Sequence, residues 1–217
     1  KGEQGSDLYT NLDIDAQKSA AKFLGNRKGA VVAIDLDAGG INVLYSSPAY
    51  SINKLSNGMN EDEFQTLIDD PNKPFFNRAL QGRYPPASTI KPAIGMYGLS
   101  NNIVNWDFEM KDPGFFTLPE TGRIFRGWRK GGHGKVNMHK AFLVSSNTYF
   151  FSLAYQANIT ELSNYLSNLG FGQKVCLDCF DEDQVFVPTP EWKYSTMNAG
   201  WVKGDTVNLG IGQGYLV

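Results

Sequence analysis

The sequence predicts a mixed α and β fold, because an apolar hairpin near its start is combined with several segments of helical periodicity. Residues 29–36 form a nearly continuous apolar run rich in β-branched side chains, and residues 41–47 form a second extended run. The turn between them, residues 37–40, contains Asp and two Gly. Because the first run lacks polar alternation, we expect a strand buried on both faces, with helices on each side of the sheet.

Segments with helical spacing precede and follow the hairpin. Asp13 is placed to cap a helix that Gly25 ends, and a short helix is predicted over residues 61–68. Residues 106–135 combine glycine, aromatic and basic side chains without clear periodicity, so we expect a long surface loop region there. Further helices are predicted over residues 88–99, 138–144, 148–156 and 160–169, with Gly170 ending the last.

Composition argues against two classes of function. The 217 residues contain 20 Lys and Arg against 22 Asp and Glu, a net charge of −2, so no strong field attracts nucleic acid or an anionic membrane. No run of about 18 apolar residues occurs, so no segment of this sequence is expected to span a bilayer. A signal or anchor segment is expected only outside these residues.

A cluster of basic and aromatic residues lies within the expected loop region. Given the overall charge, we interpret it as a solvated surface that is free to contact glycan or a protein partner, not nucleic acid. Its members are Arg123, Phe125, Arg126, Trp128, Arg129, Lys130 and Lys135.

Cysteine and histidine placement gives weak signals for redox or metal chemistry. Cys176 and Cys179 could form a redox pair or half of a zinc site, but no second pair occurs, so inert thiols are the favoured interpretation. His133 with Asp112 supplies only two possible metal ligands, fewer than a closed site needs. We therefore predict no metal, and expect a histidine hydrogen-bonded among loop glycines.

The segment that begins at Ser88 has the pattern of an activated nucleophile. Pro92 is tolerated only in the first turn of a helix, which places the helix start near Ser88. Ser88 and Lys91 then share one face at the positive end of the helix dipole, where a lysine kept neutral by burial can take the hydroxyl proton. Two other Ser-x-x-Lys copies lack this context, at residues 19–22 within a helix and 51–54 in a polar loop.

A second motif, Ser145-Ser146-Asn147, lies between two predicted helices. Ser-x-Asn is common by chance, and it also occurs at residues 51–53 and 100–102. The combination is more specific. A Ser-x-x-Lys at a helix start, followed by Ser-x-Asn on a turn between helices, is typical of the penicilloyl-serine transferases.

Longer stretches of the sequence resemble one family. Residues 76–92 resemble the active-site segment of class B penicillin-binding proteins, and within that class the elongation-specific penicillin-binding protein 2 group of Gram-negative bacteria. One departure is Ala87, where relatives often have Gly. Further blocks resemble the same family in the same order, at residues 12–15, 29–35, 112–114, 132–134 and 210–214.

The resemblance implies the α+β fold shared by penicillin-binding protein transpeptidases and β-lactamases, an antiparallel sheet flanked by helices, of which only the N-terminal and helical portion is present. Residues 1–7 are expected to be a linker remnant and residues 8–217 a partial transpeptidase domain lacking its C-terminal strands. The family's Lys-Thr-Gly or Lys-Ser-Gly motif occurs nowhere in the sequence and is expected after Val217, as the membrane anchor is expected before Lys1. We expect these residues alone to react slowly or not at all with penicillin.

By the same resemblance, the activity is D,D-transpeptidation without a cofactor. Ser88 would attack the penultimate D-Ala of a peptidoglycan stem peptide, Lys91 would be its base, and the Ser88 N–H would supply half of the oxyanion hole. Ser145 would relay a proton to the leaving nitrogen. Asn147 would hydrogen-bond the substrate amide and help hold Lys91, and β-lactams would acylate Ser88 as substrate mimics.

The implied partners are stem peptides ending in D-Ala-D-Ala, β-lactams, a membrane glycan polymerase and elongation-complex proteins, at the periplasmic face of the bacterial inner membrane. Two alternatives remain open. A β-lactam-sensing or catalytically silent module would use the same serine, with signalling segments outside this sequence. A serine β-lactamase would need a positioned base for deacylation, and no sequence feature marks one.

Overall fold

In a computed structural model, residues 5–176 and 178–217 are described, and they fall into two compact units. The first unit contains the chain up to Gly82 together with Cys176–Asp183, and the second contains Arg83–Val175 and Gln184–Val217. Helices and strands both occur, which confirms the predicted mixed fold class. Within the described residues, no helix combines the length and apolar character that crossing a bilayer requires.

The first unit is built around the predicted hairpin. Helix α1 (Ile14–Leu24) begins after Asp13, whose carboxylate accepts two backbone hydrogen bonds of the first turn, and ends at Gly25 with φ +54°. Strand β1 (Gly29–Ile34) then pairs antiparallel with β2 (Ile41–Ser47), against which α1 packs. The cap, the glycine stop and the hairpin are all confirmed.

The burial of the hairpin differs from the prediction. The sequence predicts that β1 is buried on both faces, whereas Val32 and Ile34 are 46% and 55% exposed. Among the described residues β1 pairs only with β2, and α1 packs mainly against β2. An apolar strand is buried on both faces only where other layers cover it, and those layers are not encoded in the strand itself. The expectation of two-sided burial is therefore wrong for this structure.

Two short helices and a disulfide complete the first unit. Helix α3 (Glu61–Asp69) confirms the predicted helix, while α2 (Ile52–Ser56), only five residues long, was not predicted. Cys176 and Cys179 form a disulfide, so the expectation of free thiols is wrong. Their Cα atoms lie 5.2 Å apart, within the range that a disulfide spans, and the Cys-x-x-Cys spacing alone does not set that distance.

The second unit is mainly helical, with two small strand pairs. In chain order its elements are a 3-10 turn (Ala87–Ile90), α4 (Lys91–Ser100), β3 (Met110–Asp112), β4 (Phe115–Thr117), β5 (Ile124–Arg126), β6 (Gly134–Val136), α5 (Met138–Leu143), α6 (Asn147–Gln156), α7 (Ile159–Asn168), α8 (Pro190–Met197) and α9 (Lys203–Leu209). Helices α4 and α6 pack against each other, and Ile94, Tyr97 and Phe150 are among the residues buried at the centre. Gly98 permits this close contact, because a Cβ there would lie 2.7 Å from Leu153 Cδ1.

The helix predictions hold within one residue for α5, α6 and α7. The predicted helix over residues 88–99 is present as the 3-10 turn followed by α4. Helices α8 and α9 were not predicted. For α8 a signal was available, since the Thr189 hydroxyl caps the helix and Pro190 stands in its first turn.

The predicted loop over residues 106–135 is wrong in part. Strand β3 pairs with β6 and β4 pairs with β5, both antiparallel. Each strand has only three residues, too few for an alternating pattern to be recognised. The backbone crosses closely at Gly132, which has φ +72° and where a Cβ would clash with the Asp112 carbonyl oxygen.

Candidate active site

Ser88 is exposed in the 3-10 turn that precedes α4. Pro92 lies in the first turn of the α-helix, where it costs no hydrogen bond, and the helix proper begins at Lys91. Ala87, the residue before the serine, adopts φ +49° and donates its N–H to the Gly212 carbonyl at 2.9 Å. The segment that bears the serine is therefore fixed on both sides, by the helix and by this hydrogen bond.

Lys91 is only 2% exposed, and its amine has three hydrogen-bond partners. It donates to the Ser145 carbonyl at 3.0 Å, to Ser145 Oγ at 3.0 Å and to Asn147 Oδ1 at 2.7 Å. Burial lowers the pKa of Lys91 to about 8. A lowered pKa increases the fraction of the protein in which the Lys91 amine is neutral and able to accept a proton near pH 7.

Ser145 and Asn147 come from the turn between α5 and α6, which we call the Ser-x-Asn turn (residues 145–147). Ser145 has φ +50°, a left-handed conformation, and Asn147 is the first residue of α6. The Ser145 hydroxyl donates to Ser88 Oγ at 3.1 Å. The structure thus places the four predicted site residues, Ser88, Lys91, Ser145 and Asn147, in one hydrogen-bonded group.

The connection between Lys91 and Ser88 differs from the sequence expectation. The i, i+3 spacing predicts direct contact on one helix face, whereas the described hydrogen bonds of the amine go to Ser145 and Asn147. Ser145 Oγ lies between the amine and Ser88 Oγ. A hydroxyl in this position can pass a proton from Ser88 to a neutral Lys91, because it can accept one proton while it donates another.

Behind the Ser-x-Asn turn lies the Asp112 cluster, defined as Asp112, His133 and Ser146. Ser146 Oγ donates to Asp112 Oδ2 at 2.7 Å, and His133 Nδ1 lies 2.9 Å from the same oxygen. Burial by itself would raise the pKa of Asp112, but hydrogen bonds from Ser146, His133 and a backbone N–H lower it overall. Ser146 is not among the site residues that the sequence motifs predict, although a serine directly before a helix is a capping signal.

Asp112 and His133 were also the two candidate metal ligands. In residues 5–176 and 178–217, no group of three or more His, Cys, Asp or Glu side chains is arranged to hold a metal ion. Asp112 instead accepts hydrogen bonds at both oxygens, from Gly114 N at 2.7 Å and from the two cluster side chains. His133, flanked by glycines, is hydrogen-bonded as the sequence predicts.

Trp128 covers the outer side of the Ser-x-Asn turn. Its indole is 64% exposed, and Nε1 donates to the carbonyl oxygens of Val144 and Ser145, at 3.2 Å each. The ring centroid lies 5.3 Å from that of His133. The turn that carries Ser145 is therefore contacted from the buried side by Asp112 and from the exposed side by Trp128.

The basic residues of the predicted surface cluster are exposed. The Arg123 guanidinium lies 5.2 Å from the Phe125 ring centroid, and Lys135 forms an ion pair with Glu109. Their exposure agrees with the interpretation as a solvated surface, whereas Phe125 is 6% exposed and belongs to the core instead. Contact with glycan or a partner stays a prediction.

Comparison with known proteins places the chain in one family. Residues 29–217 match the penicillin binding protein transpeptidase domain. The peptidoglycan D,D-transpeptidase MrdA of Acinetobacter baumannii is 45% identical over 211 residues, which make up 97% of this chain and 31% of that protein. MrdA of Escherichia coli strain K12 is 37% identical over 213 residues, 98% of this chain and 34% of that protein. The chain thus spans about a third of the length of these curated relatives.

Solved structures agree with this assignment. The crystal structure of Pseudomonas aeruginosa PBP2 in complex with WCK 5153 has a TM-score of 0.91 and 38% identity, and covers 95% of this chain and 45% of that one. The Helicobacter pylori complex between PBP2 and MreC has a TM-score of 0.88 and 35% identity, covering 94% and 38%. These similarities confirm the predicted fold and the resemblance to the penicillin-binding protein 2 group.

Proposed function

Because the chain belongs to the penicillin-binding protein transpeptidase family, we propose that it carries the nucleophile of a peptidoglycan D,D-transpeptidase that cross-links stem peptides during cell-wall elongation. The single observation that supports this most strongly is the hydrogen-bonded series from Lys91 through Ser145 to Ser88. It joins an exposed hydroxyl to a buried amine whose pKa is lowered to about 8. This combination suits acyl transfer through a serine ester.

In the acylation step, Ser88 Oγ attacks the carbonyl of the penultimate D-Ala of a stem peptide. The Ser88 proton passes through the Ser145 hydroxyl to the neutral Lys91 amine as the new C–O bond forms. The tetrahedral intermediate then collapses, the peptide C–N bond breaks, and Ser145 returns a proton from Lys91 to the leaving D-Ala nitrogen. The products are an ester on Ser88 and free D-Ala, with Lys91 neutral again.

In the second step, the side-chain amine of a neighbouring stem peptide attacks the ester. The amine loses a proton to Lys91 through Ser145, and the Ser88 oxygen regains one as it leaves. Asn147 holds the Lys91 amine through Oδ1 and hydrogen-bonds the substrate amide. The Ser88 N–H serves as one donor of the oxyanion hole. No cofactor takes part in either step.

β-Lactams are expected to acylate the same oxygen, because their strained amide presents a carbonyl to Ser88 in place of the D-Ala bond. The solved relative from P. aeruginosa is described in complex with WCK 5153. By analogy with the H. pylori complex between PBP2 and MreC, elongation proteins of that type and a membrane glycan polymerase are the proposed partners. The proposed location is the periplasmic face of the inner membrane.

The test is acylation of the full-length protein by a fluorescent penicillin, followed by intact mass and peptide mapping. We expect one adduct per molecule on Ser88, and none in Ser88→Ala, which alters only an exposed side chain. Ser19→Ala is the matched control, because Ser19 opens another Ser-x-x-Lys copy and is also exposed. It should label like the unaltered protein.

The same preparation separates the alternatives. A transpeptidase joins two synthetic stem peptides and turns over nitrocefin slowly. Rapid nitrocefin hydrolysis would point to a serine β-lactamase, and labelling without any cross-linked peptide would point to a sensing or silent module. Absence of the Ser88 adduct would contradict the proposed nucleophile.

A further inference from the structure

One buried hydroxyl connects the Ser-x-Asn turn to the strands behind it. Ser146 is 0% exposed and lies between the two site residues Ser145 and Asn147. Its Oγ donates to Asp112 Oδ2 at 2.7 Å and accepts from Tyr149 N at 3.3 Å. The first bond fixes the turn to β3, and the second fixes it to the first turn of α6.

The Asp112 side chain has a fixed position, so its hydrogen bond with Ser146 can hold the Ser-x-Asn turn in place. It lies at the end of β3, paired with Gly134 of β6, and its side chain is 2% exposed. Gly114 N and His133 Nδ1 donate to its two oxygens at 2.7 and 2.9 Å, in addition to Ser146. A buried carboxylate with this many donors has little freedom to move, since any displacement leaves buried polar groups unpaired.

The residues on either side of Ser146 supply the three acceptors of the Lys91 amine, one backbone carbonyl and two side-chain oxygens. Ser145 reaches it with its carbonyl and hydroxyl oxygens, and Asn147 with Oδ1. Ser145 also adopts a left-handed conformation, which persists only where neighbouring contacts impose it. A shift of Ser146 therefore changes the distance from Lys91 to Ser145 and to Asn147 at the same time.

We propose that Ser146 and Asp112 are positioning residues, which set the placement of Ser145 Oγ and Asn147 Oδ1 against the Lys91 amine. This inference rests on the proposed acyl-transfer function. Neither residue touches the reacting atoms, and each acts through the Ser-x-Asn turn. Because proton transfer is steeply sensitive to donor and acceptor placement, loosening the turn should slow acylation more than it weakens binding.

The test compares Ser146→Ala with Ser163→Ala in the full-length protein. Ser163 is a matched control: it is 2% exposed on α7, and its hydroxyl donates to the Pro188 carbonyl at 3.0 Å. Each change removes one buried hydroxyl together with its hydrogen bonds, two for Ser146 and one for Ser163. Stopped-flow acylation by a β-lactam over a range of concentrations separates the limiting rate constant from the dissociation constant of the initial complex.

We expect Ser146→Ala to lower the limiting acylation rate constant by about tenfold or more, with the dissociation constant changed less than about twofold. Ser163→Ala should leave both constants within about twofold, although it also lowers the melting temperature because a buried hydrogen bond is lost. Equal effects of the two variants on the rate constant, or an effect of Ser146→Ala confined to the dissociation constant, would overturn the proposal.

Asp112→Asn provides a second, independent variant, and it decides the question if Ser146→Ala does not fold. The amide keeps the shape of the carboxylate but has a single acceptor oxygen. With that oxygen facing Ser146 and His133, their hydrogen bonds lose charge assistance and the Gly114 N–H loses its acceptor. The limiting rate constant should fall by a smaller factor than in Ser146→Ala, and an unchanged rate constant would overturn the proposal. If the unaltered protein gives no Ser88 adduct, the proposed function fails. If the unaltered protein labels normally and both variants keep its limiting acylation rate constant, only the positioning role is refuted.

Discussion

The chain contains the Ser-x-x-Lys pattern in regions of very different character, and the comparison shows what the motif requires. At residues 51–54, Lys54 is largely exposed and its amine lies 3.5 Å from Glu63 at the surface. At residues 88–91, Lys91 is buried, hydrogen-bonded to the Ser-x-Asn turn, and has a pKa lowered to about 8. Identical spacing therefore gives a solvated ion pair in one place and a candidate general base in the other.

The difference arises from groups distant in the sequence. Lys91 is surrounded by α6 and the Ser-x-Asn turn, and its amine lies 5.3 Å from the Phe150 ring centroid. The Lys54 amine instead forms an exposed ion pair with Glu63 on the neighbouring short helix. A lysine becomes a base at neutral pH when burial disfavours its charged form, and a four-residue motif cannot specify that burial.

The largest expected effect comes from removing the buried amine. Lys91→Met keeps an unbranched side chain of similar length but has no proton acceptor, so the acylation rate constant should fall by about 10²- to 10⁴-fold. The exposed counterpart is the control, and Lys54→Met should stay within about twofold. Stopped-flow labelling with a fluorescent penicillin measures both, after circular dichroism has established that each variant is folded.

A smaller drop in Lys91→Met, within tenfold of the unaltered protein, would contradict the distinction between the two regions. It would mean that the Ser88 proton leaves by a route that does not use the buried amine. Similar losses in both variants would instead indicate an indirect electrostatic effect of removing positive charge.

The pH dependence of the acylation rate constant tests whether the buried Lys91 amine acts as the base. Acylation needs the neutral Lys91 amine, so the rate constant should rise about tenfold per pH unit below a midpoint near 8 and level off above it. The sign follows from burial, which lowers the pKa of this lysine from its ordinary value of 10.5. Acylation rates between about pH 6 and 10 provide the measurement. A flat profile over this range would rule out Lys91 as the titrating base.

The lowered pKa of Lys91 also predicts how the free energy of unfolding depends on pH. Between about pH 8 and 10.5 the unfolded chain holds a proton on Lys91 that the folded chain has lost, so this residue's contribution to the free energy of unfolding rises with pH there. Below that window the amine is charged in both states, and burial of the charge opposes folding. Lys91→Met should abolish this increase, which urea unfolding at several pH values can measure.

Local signals predicted the elements of this fold better than its packing. Asp13, Gly25 and the apolar runs of the hairpin each act through neighbouring residues, and α1, β1 and β2 follow them closely. The exposure of Val32 and the pairing of β3 with β6 depend on residues far away in the sequence. Patterns in a short window carry no information about those distant layers.

The candidate site shows the same difference between what local sequence predicts and what depends on distant residues. Two motifs identified Ser88, Lys91, Ser145 and Asn147, because spacing and helix boundaries are local properties. The order of contacts among them was not predictable. That Ser145 lies between Lys91 and Ser88, and that Asp112 holds Ser146, follows from how β3, α4 and α6 pack together.

The smallest expected effect concerns Ala87, the residue before the proposed nucleophile. Ala87 has φ +49°, a conformation that costs a residue with a Cβ about 1–2 kcal/mol. Ala87→Gly removes this strain but adds about 0.4–1 kcal/mol of chain entropy to the unfolded state, so the free energy of unfolding should rise by up to about 1.6 kcal/mol. Ala93→Gly, in the regular helix α4, is the control and should lower it by about 1 kcal/mol or more. Acylation of Ser88 in Ala87→Gly should stay within about twofold, because the Ala87 N–H that bonds the Gly212 carbonyl is retained. If the urea midpoints of Ala87→Gly and Ala93→Gly both fall, the backbone at Ala87 is not strained.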